Sequence, residues 1–276
     1  MTYLTYPQLE HCGRLGNQLW EIAGTIGLSR TYGYEPLFPP SWSYRPFVSL
    51  PDEMFGPQDQ GSPSTRLATH MGPNEQQYLQ DWHLFADCAD EIRRVFAPSP
   101  LAQSVLSGLT EFHALPRPIL SVHVRRGDNV FDAGVANKHL YMPERPTGYY
   151  LSATDTLREQ ASTVAVFSDD IPWCRENILA DYYHEGVPRP KDGTADYWTA
   201  TPTDWVDWFL MATCDFHVLS ASSYAWWGAF LSHDPSPIYP ADWFGPALTH
   251  IDTSLMFPPS WREWPSGLDP TTGLPC

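Results

Sequence analysis

The stretch Pro118-Ile119-Leu120-Ser121-Val122-His123-Val124-Arg125-Arg126-Gly127-Asp128 passes from an apolar run straight into a charged turn. The run is short, rich in β-branched residues and bounded by proline and glycine, which predicts a buried strand of a parallel sheet. In such sheets ligands settle beyond the carboxyl ends of the strands, so the polar residues that close this run stand where reactive groups belong. Arginine suits a diphosphate because its planar fork donates paired hydrogen bonds and keeps its charge. Gly127 lets the chain turn sharply, and Asp128 is placed to orient an arginine. The same spacing also fits an Arg–Asp ion pair that only closes a strand–loop junction.

Working outward, strand and helix patterns alternate on both sides. Tyr3 to Leu9 is strand-like, with Pro7 demoting it to an edge or irregular strand. The turn Gly13-Arg14-Leu15-Gly16 opens a helix with apolar positions Leu19, Ile22, Ala23 and Ile26, and Gly33 is its stop. Residues 34–72 read as loop, Gln76 to Phe96 as helix, and Ala97-Pro98-Ser99-Pro100 as a break. After the run at 118–124 come a long loop, a helix from Gly148 to Gln160, a strand from Thr163 to Phe167 and a helix from Pro172 to Leu179. A helix near Thr203 to Ala212, a strand near Phe216 to Ser220 and a helix from Ser222 or Ser223 to Ser232 follow. Such alternation implies an α/β fold with parallel sheets of Rossmann type. The best cut falls between Ala114 and Pro118. It divides the chain into domains 1–115 and 116–276 with a cleft for ligand.

Three further stretches carry chemistry. Ser220-Ala221-Ser222-Ser223-Tyr224-Ala225-Trp226-Trp227-Gly228 feeds a strand through small residues into a helix start, which offers amides and hydroxyls to an anion. A plain serine N-cap ahead of a core helix fits equally. In Phe167-Ser168-Asp169-Asp170 an acidic residue at a strand end can meet a base or ribose, or Asp170 can simply cap the next helix. Gly13-Arg14-Leu15-Gly16-Asn17-Gln18 combines glycines for close approach with amide side chains, without GxGxxG or Walker spacing.

Composition narrows the classes. A formal charge of −16 on 276 residues disfavours nucleic acid and anionic membranes as partners, and any phosphate site must be a local cationic or amide-lined island. Twelve tryptophans and 28 prolines suit a loop-rich globular protein and sugar stacking. The five scattered cysteines form no disulfide framework or zinc cage, which points to a reduced, cytoplasmic setting, with a peripheral membrane contact left open. Neither a signal peptide nor a membrane span is expected. Asp-x-Asp, HxxxH and GxSxG are all missing, so the usual carboxylate pair of metal-dependent glycosyltransferases, a helical metal site and a nucleophile elbow are not expected.

Taken together, GRLGNQ at 13–18, HVRRGD at 123–128, FSDDIPWC at 167–174 and SSYAWWGAFL at 222–231 resemble the α-1,2-fucosyltransferase family and its relatives among protein O-fucosyltransferases. The four come in the family's order and span residues 12–245. The resemblance implies two facing Rossmann-like domains of the GT-B kind and an active site in the cleft between them. It also implies metal-free, inverting transfer of fucose from GDP-fucose to a glycan hydroxyl. Carried over, Arg125 binds the diphosphate and assists departure of GDP, His123 and Asp169 contact the nucleoside, and Ser222 and Ser223 hold phosphate. Arg14 and Asn17 face the cleft from the N-terminal domain, and Asp128 is the candidate general base. Arg126 is expected to brace its loop through an acidic partner. Asn129 stands where an aromatic is common, and Tyr224-Ala225 where Phe-Ser is common. The alternatives are a protein O-fucosyltransferase, a transferase using another GDP-sugar, and a carbohydrate- or nucleotide-binding module without turnover.

Overall fold

A computed structural model describes residues 2–9, 11, 13–57, 64–66, 78–127, 138–185 and 204–276 of the chain, with only the main chain at 64–66 and 185. Its contacts divide it into two compact units, Met1–Gly108 with Ser254–Pro258, and Leu109–Thr253 with Pro259–Cys276. Each is α/β, and every strand pairing is parallel.

In the first unit β1 (Tyr3–Thr5) lies between β2 (Glu35–Leu37) and β3 (Ser64–Arg66). The expected edge strand is therefore central. The reason is that it ends before Pro7, so no ladder bond is asked of the proline nitrogen. Helix α1 (Leu15–Tyr32) is buried on nearly all sides and stops at Gly33, whose φ of 70° lets its N–H reach back to Ser29 O. The expected helix over 76–96 is instead two 3₁₀ turns, Trp82–Leu84 and Ala86–Cys88, followed by α2 (Ala89–Val95); residues 76–77 lie outside the described residues. Helix α3 (Pro100–Ser107) follows, capped by Ser99 Oγ on Ala102 N–H at 3.2 Å.

The second unit opens with α4 (Thr110–His113), whose Phe112 packs against Phe167 and Tyr182. Next come β4 (Ile119–Val124), α5 (Thr147–Arg158), β5 (Thr163–Ser168), α6 (Ile171–Asn177) and β6 (Tyr182–Glu185). They are followed by α7 (Asp204–Ala212), β7 (Phe216–Val218), α8 (Ser223–Leu231), β8 (Ile238–Pro240) and β9 (Arg262–Trp264). The strands lie in the order β6-β5-β4-β7-β8-β9. The chain thus winds outward from β4 to one edge, returns to the centre and winds to the other edge. This is a doubly wound sheet whose direction reverses between β4 and β7.

Strands β4 and β5 are buried along their whole length, as helices on both faces require. On one face Leu120, Val122, Val124, Val164 and Val166 pack with Tyr149, Tyr150, Ala153 and Leu157 of α5. Side chains alternate along a strand, so Ser121 and His123 face the other layer, where the His123 ring meets Tyr224 of α8.

One close approach offers a test. A Cβ on Gly27 of α1 would lie 2.0 Å from Leu84 O and 2.9 Å from Phe85 Cα, and main chain yields less easily than a side-chain tip. Gly27→Ala is expected to destabilise by about 1–3 kcal/mol. Gly148→Ala in α5, with nothing within 4 Å of the added carbon, should be neutral or stabilise by about 0.5 kcal/mol. Urea melts of both variants check this. A Gly27→Ala protein as stable as the wild type would contradict the close packing of α1.

Candidate active site

Three strand ends of the second unit converge at the reversal of the sheet. His123, next to last in β4, is 6 % exposed and lies with Nδ1 2.7 Å from Ser220 Oγ, just beyond β7. Burial pushes its pKa down to about 4, against a smaller upward pull from the Asp169 carboxylate. It is therefore a neutral imidazole at pH 7, exchanging one hydrogen bond with the serine.

Arg125 and Arg126 follow β4 directly and part company. Arg125 is half-buried. Arg126 is enclosed by acids: Nε donates to Asp170 Oδ2 at 3.0 Å, Nη1 donates to Glu144, and the guanidinium lies 4.1 Å above the Trp173 ring. Its main-chain N–H donates to Asp169 Oδ1 at 2.8 Å. The second arginine thus braces the loop, as expected, and two acidic partners do it. Asp170 also caps α6, accepting from Trp173 N–H at 3.2 Å, so the capping reading of that residue holds. Asp169 is oriented by Arg126 at the end of β5.

Beyond β7, Ser222 stands at the N-cap of α8 in extended backbone, 5 % exposed, and its hydroxyl makes no capping bond. Trp226 N–H is the first to close the helical ladder, on Ser222 O at 3.0 Å. The amides of Ser223, Tyr224 and Ala225 precede that ladder, the arrangement in which a helix start favours an anion. Tyr224 uses its hydroxyl to donate to Asp204 O and so ties α8 to the start of α7.

His123, Arg125, Asp169, Ser222 and Ser223 thus share one edge of one sheet. Arg14 and Asn17 belong to the other unit: Arg14 is the N-cap of α1, and Asn17 Oδ1 accepts from Gln80 Nε2 at 3.0 Å. There Gln18 cross-links Gly13 O at 3.2 Å and Trp42 Nε1 at 2.9 Å. Asp128 lies outside the described residues. Sequence reasoning missed Glu144, which stands 18 residues from its partner Arg126 in no recognisable motif, and the direct contact of Ser220 with His123. Alternation along β4 and the polar ending of β7 were the available signal for that contact. Among the described residues no three His, Cys, Asp or Glu side chains gather as a metal-holding group, and no helix is long and apolar enough to cross a membrane.

Fold and residues together define a Rossmann-type, doubly wound α/β unit with two arginines and a helix start at its topological switch point. The chain belongs to glycosyl transferase family 11, whose model matches residues 64–243. It is 30% identical over 171 residues to an alpha-1,2-colitosyltransferase of Escherichia coli, covering 60% of this chain and 54% of that one. It is 28% identical over 260 residues to human galactoside alpha-(1,2)-fucosyltransferase 1, covering 84% and 66%. The chain therefore spans about half to two thirds of the length of these curated relatives. The crystal structure of fucosyltransferase NodZ from Bradyrhizobium aligns over 84% of this chain and 92% of that one, with TM-score 0.49 and 14% identity.

The depressed pKa of His123 has a sign that can be checked. The unfolded chain protonates this histidine near the ordinary 6.5, the folded chain only near 4. Its share of stability is thus whole above the first value and is lost as pH falls toward the second. Between pH 7 and pH 5 the wild type should lose about 2 kcal/mol more than His123→Asn. Denaturant melts at the two pH values measure it, and equal losses would refute a buried neutral imidazole.

Proposed function

We propose that this chain transfers L-fucose from GDP-fucose to a glycan hydroxyl, O-2 of a galactoside, with inversion at the anomeric carbon and without a metal ion. The observation that carries this reading is the 2.7 Å contact of His123 with Ser220, which joins the arginine-bearing loop after β4 to the helix start after β7. Membership of the family and the names of its α-1,2-linking relatives support it.

In this reading Arg125, Ser222, Ser223 and the first-turn amides of α8 receive the diphosphate, while His123 and Asp169 meet the nucleoside. Arg14 and Asn17 serve from the N-terminal domain, in a GT-B-like pair of facing domains, 1–115 and 116–276. The acceptor oxygen attacks the anomeric carbon as the bond to the β-phosphate oxygen breaks. That bond's electron pair leaves with GDP, and the hydroxyl proton passes to a base, assigned to Asp128. Preorganised stabilisation of the departing charge is the largest contribution. The reading places the protein in the cytoplasm, peripheral to a membrane or not.

Donor choice is tested by thermal shift. GDP and GDP-fucose should raise the melting temperature by mass action, UDP-galactose should not, and transfer should survive EDTA. Equal stabilisation by both nucleotide classes, or loss of transfer on chelation that Mn²⁺ restores, would refute the assignment.

Neighbouring arginines separate catalysis from bracing. Arg125→Ala should lower single-turnover transfer by about 10²–10³ while melting within a few degrees of the wild type. Arg125→Lys should stay severely impaired, because the fork and not the charge alone is needed. Arg126→Ala leaves Asp170 and Glu144 without their cation and should lose stability at least as clearly as activity. Near-normal turnover in Arg125→Ala would remove the centre of the mechanism.

A further inference from the structure

Arg145 stands on the segment entering α5 and is 2 % exposed. Its Nη2 donates to Asp242 O at 2.6 Å and Trp243 O at 3.0 Å, and its Nη1 to Pro143 O at 3.1 Å. Among the described residues no carboxylate forms an ion pair with it, and its Nε has no hydrogen-bond partner. A buried guanidinium held by carbonyls, with the Asp242 carboxylate near but not paired to it, is expensive to keep. Asp242, one of its acceptors, adds strain of its own, with φ at 54° in the left-handed region. Both costs fall on one loop, the one that follows β8, on the same edge of the sheet as the loops after β4 and β7.

The neighbours of Arg145 reach the other strand ends. Glu144 pairs with Arg126, whose N–H holds Asp169. Tyr149, four residues on, donates its hydroxyl to Leu219 O at 2.6 Å, immediately before Ser220. Residues 144–149 therefore fasten the loops after β4, β5, β7 and β8 to one short segment.

We propose that Glu144 and Arg145 form a two-way latch that positions the donor site. Arg145 fixes the loop after β8, and Glu144 fixes the Arg126–Asp169 contact, so neither touches substrate and both set where the nucleoside is received. The inference rests on the GDP-sugar reading above.

The test is GDP titration calorimetry, donor KM, kcat and thermal melts for the wild type, Glu144→Gln, Arg145→Lys and the double variant. All are measured well below their melting temperatures. Arg145→Lys keeps the charge and loses the fork that spans three carbonyls. Each single variant should raise the GDP Kd and the donor KM roughly tenfold or more, since a displacement of about 1 Å can be worth 10²-fold. The change in kcat at saturating donor should be much smaller. The double variant should be no worse than the poorer single one, because the two residues act as one unit. If Arg145→Lys does not fold, Glu144→Gln carries the test alone, its side chain being 35% exposed. A lowered melting temperature with GDP Kd within twofold of the wild type would make the latch merely structural and overturn the proposal, as would additive effects. A wild type that binds no GDP overturns the donor reading and the latch with it. If the wild type binds GDP, Arg125→Ala does not, and Glu144→Gln binds normally, only the latch falls.

Discussion

Strands β4 and β7 lie side by side although 96 residues separate Ile119 from Asp215. One carboxylate holds their amino ends together: Asp215 Oδ2 accepts Ile119 N–H at 2.7 Å and Arg117 Nη2 at 2.8 Å. The other ends are joined by His123 and Ser220. Between these points Leu120 lies opposite Phe216 and Val122 opposite Val218. A slip of one residue would turn His123 into the α5 layer and Val122 toward α8, so register and site are one constraint. Helices α5 and α8 pack on opposite faces of this pair of strands, the arrangement that marks a topological switch point.

The electrostatics follow from that placement. A chain with formal charge −16 repels anions at a distance, so attraction has to be built locally. The neutral His123 adds no charge. Positive character comes from arginines and from amides at a helix start, which act more strongly where water is excluded. The three arginines near the site are handled differently. Arg126 is neutralised by two carboxylates and covered by Trp173, Arg145 is solvated by main-chain carbonyls, and Arg125 is half-buried at the strand end.

Much of the second unit was legible because β4 and β5 are buried on both faces and read as short runs rich in β-branched and apolar residues. The runs at 119–124 and 163–168 were read within a residue or two, and so was the helix at 223–231. The edge strands were not. In β6, Tyr-Tyr-His-Glu has no apolar run, because His184 is there to pair with Asp207 of α7 at 2.7 Å. Strand β9 is Arg-Glu-Trp, and β8, inside that edge, is Ile-Tyr-Pro, so neither offers an apolar run. In the first unit the 3₁₀ turns at 82–88 mimic helical spacing without sustaining it. At the site, motifs carried His123, Arg125, Asp169, Ser222 and Ser223 to one edge. Glu144 and Arg145 sit in a proline-flanked segment without a pattern, and only the tertiary fold gives them partners.

The carboxyl edge of the sheet draws on chain positions that are made far apart in time. Its arginines come from 125–126, its acids from 144 and 169–170, its helix start from 220–225, and the loop that Arg145 grips from 242–243. A growing chain that has reached residue 215 holds Arg125, Arg126 and Arg145 but not yet the start of α8. With β7 added, the loop after β8 is still missing, so Arg145 has lost two of its three carbonyls. This edge of the sheet is therefore completed late in synthesis, and nothing held there can serve as a template for the earlier strands. They must find their order from the apolar runs alone, which is where the sequence is most strongly patterned.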